Sequence, residues 1–148
     1  MALSIRERIL QAIVTALQTI DGVEVLRNEP MSTEADGTPR LIVQDGGQSA
    51  NEETYGATAY TLRAAVDGRV WAASGENPGT AMNALYVQAM AALFADRTLG
   101  GLAIDLREGA MDEPALDGET GNAIGAFRVA IEIDFWTKSN DPTALGPA

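Results

Sequence analysis

The sequence predicts an α+β fold: a two-layer sandwich in which two helices pack on one face of a mostly antiparallel, mixed sheet, in the order α-β-β-β-α-β-β. Three observations carry this reading. Residues 4–20 and 77–95 repeat their apolar side chains at helical spacing, so each segment has one stripe to bury. Residues 55–70 and 123–137 alternate with a period of two instead. At 148 residues, with 46% hydrophobic and 21% charged residues, the chain has the size and composition of one domain that can bury a core.

The elements follow in order. Ser4 is a candidate N-cap with Glu7 three residues on, a capping-box pattern. Ile9, Leu10, Ile13, Val14, Leu17 and Ile20 then form one stripe, and Asp21-Gly22 stops the helix. A short strand is expected over 23–27, then a loop over 28–39 with two prolines, then a buried strand over 40–44 around Leu41-Ile42-Val43. Residues 45–49 read as a turn, continuing as loop to about 54. In the long strand 55–70, Tyr60, Leu62, Ala64 and Val66 alternate with Thr61, Arg63, Ala65 and Asp67. Asn77-Pro78 is a strong helix start, because Pro is pre-shaped for the first helical position. Met82, Leu85, Tyr86, Ala89, Met90, Leu93 and Phe94 carry that helix, and Gly100-Gly101 ends it.

A strand is expected over 102–107, with Leu102, Ile104 and Leu106 facing one way and Ala103, Asp105 and Arg107 the other, and a turn-rich loop over 109–121. In the strand 123–137, Phe127, Val129, Ile131, Ile133 and Phe135 face one way, while Arg128, Ala130, Glu132, Asp134 and Trp136 face the other. That second, half-polar face is what a sheet covered by helices on one side presents. The domain is therefore assigned to 1–137, with 138–148 a mobile tail containing Pro142 and Pro147.

Composition narrows function. The chain has no cysteine and no histidine. Disulfides, thiolate nucleophiles, imidazole general bases and almost all zinc chemistry are thereby removed. Ten basic against 21 acidic residues give a net charge of −11, with Lys138 the only lysine. Such a chain lacks the footprint of a phosphate-gripping protein. Its first twenty residues lack the apolar core of a signal peptide, and no run reaches the ~18 apolar residues of a membrane span, so a soluble protein made in the cytoplasm is expected.

The candidate chemistry is sparse. Asp105, Glu108, Asp112, Glu113, Asp117 and Glu119 surround one hairpin loop, and carboxylates suit calcium or magnesium. The spacing of a calcium-binding loop is absent, however, and a solvated acidic loop is the simpler reading. Paired carboxylates could also serve glycoside hydrolysis, but aromatics are only 5% of the chain and no sugar cleft is visible. Gly46-Gly47 and Ser74-Gly75 match neither a phosphate loop nor a nucleophile elbow. No catalytic residue, metal or cofactor is expected. Trp71 and Trp136 each fall at a strand end, either covered by a loop or serving as interface anchors. With the acidic arm (Asp112, Glu113, Asp117, Glu119), they are the candidate interface residues. The loop of about 13 residues is long for a hairpin. A core bearing such arms suits an assembly subunit.

The order of local pieces resembles a known family. An opening helix over Ile5–Ile20 is followed by a strand ending in Arg27-Asn28, then Leu41-Ile42-Val43 after a proline, then Tyr60–Val66. A helix closes in Ala92-Leu93-Phe94-Ala95-Asp96-Arg97-Thr98-Leu99-Gly100-Gly101-Leu102, and a last strand, Phe127–Thr137, precedes Asp141-Pro142. Over nearly the whole chain this resembles the tail terminator, or tail-completion, proteins of long-tailed phages and of phage-derived particles such as gene transfer particles. The segment from Asp96 to Leu102 is its most specific piece.

The resemblance implies a structural virion protein. Copies would form a homo-oligomeric ring, a hexamer, on the last ring of the major tail-tube protein. The ring would stop tube growth and offer the joining surface to a head-completion or connector protein, in the neck region of the virion tail. DNA would pass through the lumen without specific binding, and an acidic lumen would keep it from adhering. No membrane partner and no catalytic residue are implied. The neighbouring possibility is a head-completion or neck protein one ring higher. From other classes come a carboxylate-dependent metal hydrolase using 105–119, and a small binding module with no assembly role.

Overall fold

In the computed structural model, which describes residues 2–30, 38–72, 75–113 and 124–146, the chain starts with helix α1 (Ile5–Leu17). Ser4 caps it: its Oγ accepts the Glu7 backbone N–H at 3.0 Å. Glu7 does not complete the box, because its carboxylate is taken by Arg27. Strand β1 (Glu24–Arg27) and β2 (Arg40–Gln44) pair in parallel, and every other strand pairing among the described residues is antiparallel. Strand β3 (Gln48–Thr54) occupies residues expected to be turn and loop. It forms a hairpin with β4 (Ala57–Trp71) through the Tyr55-Gly56 turn.

Helix α2 (Pro78–Leu93) begins as expected, with Asn77 Oδ1 accepting the Gly79 N–H at 2.8 Å. Beyond it, Asp96 organises a tight turn. Its carboxylate accepts the backbone N–H groups of Thr98 and Gly100 and the Thr98 hydroxyl, and Leu99, Gly100 and Gly101 all take positive φ. Asp96 and the two glycines thus shape the Asp96–Leu102 segment.

Strand β5 is Asp105–Asp112, displaced from the expected 102–107: Ala103 is buried and Ile104 faces solvent, the reverse of the anticipated alternation. Residues 109–112, expected as loop, are part of it, with a bulge between Glu108 and Met111. Strand β6 (Ile124–Lys138) follows its expected alternation through Phe127–Phe135. The supposed tail contains a further strand, β7 (Asp141–Leu145), hydrogen-bonded to β6.

The seven strands form one mixed sheet, curled into a half-barrel, with the path β1-β2-β4-β6-β5. β3 continues β2 along one margin of β4, and β7 shares the opposite margin of β6 with β5. The break between β2 and β3 has a steric cause. Gly46 passes so close to β4 that a Cβ there would land on the Arg63 carbonyl oxygen, while the Arg63 N–H donates to Gly47 O at 2.8 Å.

One face of the sheet carries the core. Leu41, Val43, Leu62, Val66, Phe127, Val129, Ile131, Ile133 and Phe135 meet Ile5, Ile9, Leu10, Ile13 and Leu17 of α1 and Met82, Leu85, Ala89 and Leu93 of α2. α1 lies over β1, β2 and β7, and α2 over β4 and β6. Fully burying each large aliphatic contributes about 1.5–3 kcal/mol. The opposite face, without helices, is where the charged side chains of β4, β5 and β6 collect.

Candidate interaction surfaces

Strand alternation puts Thr61, Arg63 and Asp67 of β4, Arg107 of β5, and Arg128, Glu132 and Asp134 of β6 on the open face. The register then pairs them: Arg63 is opposite Glu132, Arg107 opposite Glu132, Asp67 opposite Arg128 and Thr61 opposite Asp134. Arg107 bridges Glu132 at 3.1 Å and also binds Asp134, whose other oxygen accepts the Thr61 hydroxyl at 2.9 Å. Arg128 grips Asp67 with two bonds of 2.6 and 2.8 Å, and the Asp67 side chain is 1% exposed. Two-pronged guanidinium–carboxylate pairs of this kind are among the stronger hydrogen-bonded contacts in proteins. This one holds the Arg128 guanidinium above its ordinary pKa. The face is therefore an ion-pair ladder in which Arg63, Arg107 and Arg128 each face a carboxylate.

A second network ties the helix layer to the sheet. Arg27, at the end of β1, donates to both Glu7 oxygens (2.6 and 2.9 Å) and both Asp45 oxygens (2.9 and 2.8 Å). Asn28, in the left-handed region at φ 56°, accepts the Asp45 backbone N–H at 2.8 Å. Hydrogen bonds from Arg27 push the Glu7 and Asp45 carboxyls below their usual range. A cleft of about 610 Å³ opens between this corner and the Asp67–Arg128 pair, with Glu29, Gln44 and Arg63 also on its walls.

The anticipated interface residues do not form one cluster. Trp71, at the end of β4, is half-buried: the Arg69 guanidinium lies 4.4 Å from its ring centre and that of Arg40 lies 5.7 Å away. Asp112 and Glu113 are exposed at the end of β5, with Asp112 in register with Arg128. Asp117 and Glu119 lie outside the described residues. Trp136 is on the open face far from these. Trp71 registers with Ile124, twelve residues before Trp136 on β6, or about 40 Å along the strand.

The acidic stretch is dispersed as well. Asp105 is bound by Arg97 at 2.9 Å, and Glu108 accepts the Tyr86 hydroxyl from α2. Among the described residues, no three acidic side chains gather in a way that could hold a metal ion. Likewise, no helix among them is long and apolar enough to cross a membrane.

Sequence reasoning missed two features. The ladder is half visible as polar residues alternating along 123–137, but cross-strand partners need the register. The second is an apolar cleft of about 440 Å³ where the start of β5 meets the end of β7, lined by Leu102, Ile104, Trp136 and Leu145. Gly146 rests against the Trp136 ring and donates its N–H to Trp136 O at 3.1 Å. Trp136 stands out in the sequence by its position, whereas Leu145 lies in a stretch with no periodic signal.

No protein-family model and no curated protein matches the chain. Among solved structures, the chain is similar to a sheath/tube terminator of an extracellular contractile injection system, PVC, in the extended state. The TM-score is 0.38 and the identity 11%, over 96% of this chain. The chain spans 61% of that protein's length.

Proposed function

We propose that this protein is a structural, non-catalytic ring subunit of a phage tail or related particle: a tail terminator that caps the tail tube and provides the joining surface for the head. The order of elements, from the opening helix through the Asp96–Leu102 segment to the last long strand, supports this reading by its resemblance to that family. The observation that carries it is the state of the sheet margins. Among the described residues, neither β3 nor β5 has a strand on its outer side, and five of the seven residues of β3 are exposed. Unpaired edges of this kind are templates for another chain. A head-to-tail contact uses one margin of each copy against the other margin of the next, and it closes into a ring when the rotation allows. The ion-pair ladder suits this role, since it stiffens the open face and engages guanidinium groups that would otherwise hold passing DNA.

The test is light scattering across concentration, joined to negative-stain microscopy with and without tail tubes. Rings alone, or rings seated on tube ends, are expected. Rings that bind a head connector but not a tube would move the protein one level up, into the neck. A strict monomer that binds neither would remove the proposal.

A further inference from the structure

The longest stretches of this chain without a charged residue are 9–20 and 77–95, and they coincide with its two helices. A helix that covers a core on one side ordinarily shows charged side chains to water on the other. α2 shows none. Its outward positions include Asn83, Ala84, Val87, Gln88 and Ala91, all exposed, with Val87 at 63%. α1 is in contact with α2 and adds exposed Gln11 and Thr15 to the same uncharged layer. Val87 and Thr15 are β-branched, whereas straight-chain Glu, Lys or Arg suits an exposed helix position better. Local helix stability therefore does not account for this surface. Depletion of charge is instead a mark of the core of a protein–protein contact.

The distribution of charge points to the partner. Carboxylates occupy the other surfaces: Glu132 and Asp134 on the open face, Glu52 and Glu53 on β3, Glu108 and Asp112 on β5. A basic partner would be drawn to those and not to the helices. A second copy, itself at −11, meets the reverse condition and approaches at least cost where neither side presents a carboxylate. The helices hold the two longest uncharged stretches, so the match for this layer on another copy is the same layer. Charges at its borders come as neighbours of opposite sign, Glu7-Arg8 and Asp96-Arg97. Shape agrees with charge. Ala84 and Ala91 lie one turn before and one turn after Val87, so a ridge sits between two hollows that can receive the ridge of a second copy. α2 is about 24 Å long and the two helices together are about 20 Å across, so two copies would bury about 1,000 Å², the lower bound for a specific contact.

We propose that two copies associate through their helix layers, α2 against α2 across a two-fold axis that passes near Val87. Both copies use the same surface, so the contact is self-complementary. It uses neither sheet margin, and it goes beyond the ring reading without resting on it.

Charge placed at the axis tests this. Val87→Glu and Val87→Lys each set like charges opposite one another. Each variant alone should self-associate at least about tenfold more weakly than the unaltered chain, with unchanged thermal melts because position 87 is exposed. Mixed in equal amounts, the two variants should regain association with each other. Sedimentation velocity reads all three samples. The chain has no native cysteine, so Val87→Cys carries a single thiol. Mild oxidation should join two copies through it far faster than through Glu53→Cys on β3. Undiminished association of Val87→Glu, no recovery in the mixture, or cross-linking at position 87 no faster than at 53 overturns the inference. Rings on tube ends formed by those same variants then leave the ring proposal standing. Dimers linked through position 87 in chains that never form rings support the inference and remove the ring reading. Chains that stay monomeric up to about millimolar concentration, the weak end of specific binding, overturn the inference.

Discussion

Arg27 is the residue on which the most separate parts of the fold converge, since its guanidinium serves Glu7 from α1 and Asp45 from the loop after β2. Both carboxyls have pKa values lowered by these bonds, and all three side chains are less than a third exposed. For a carboxyl whose folded pKa is depressed, the stabilisation is complete above its unfolded value. It is lost as pH falls through the unfolded and then the folded value. The window therefore opens below about pH 5 and deepens through about pH 4. Arg27→Gln should cost about 1–3 kcal/mol at neutral pH and flatten the loss of stability on acidification. Urea melts at pH 7 and pH 4 check both; an unchanged acid slope would assign the linkage elsewhere. Asp67 makes a complementary case. Removing Arg128 leaves a buried carboxylate whose other side-chain donor among the described residues is Gln44, at 3.3 Å. Arg128→Met should cost about 2–4 kcal/mol, and adding Asp67→Ala should restore part of it. Strict additivity in that double-mutant cycle would mean the pair is not coupled.

At the scale of elements, the kink at Gly46 lets a single margin of β4 carry both β2 and β3. Gly46→Ala must push β3 away from the Arg63 carbonyl, so it should cost about 2 kcal/mol or more, as backbone-incompatible changes do. Faster hydrogen exchange confined to 48–62 would place the damage, whereas an unaltered melt would mean the loop re-routes freely. The same corner explains what could be read from the sequence. α1, α2, β4 and β6 were legible because each is long and has one face in the core, so periodicity reports it. β3 was not: Gln48–Thr54 has one apolar residue, Ala50, and is a strand because β4 extends beyond β2 and needs a partner. β7 is hidden for the same reason, with Pro142 in its second position. β5 departs from expectation because Leu102, Ile104 and Leu106 do not share one face. The turn built on Asp96 buries Ala103 instead, and the bulge after Glu108 then moves the later residues out of simple alternation. Of the candidate surface, Trp136 was readable as a large ring on a polar face. Its neighbours Ile104 and Leu145 come from distant segments that only the sheet register brings together.

At the scale of the whole molecule, two electrostatic effects act on self-association in opposite directions, and their sizes decide the outcome. Each copy carries a net charge of −11. For a domain of this length, centres of touching copies lie ~38 Å apart. Simple screened Coulomb repulsion between them is then about 4 kcal/mol at 0.01 M salt, where the Debye length is about 30 Å, and falls to about 0.1 kcal/mol at 0.15 M, where it is about 8 Å. An exposed ion pair across a contact between copies is worth about 1 kcal/mol at most. Repulsion therefore dominates at low salt, and it is the term that salt removes. Association should strengthen by more than about tenfold between 0.01 and 0.15 M salt, then change little, because the apolar contact that remains is insensitive to screening. Sedimentation equilibrium over a salt series measures this directly. Weakening across that range would mean that the contact between copies is held mainly by ion pairs and not by buried apolar surface.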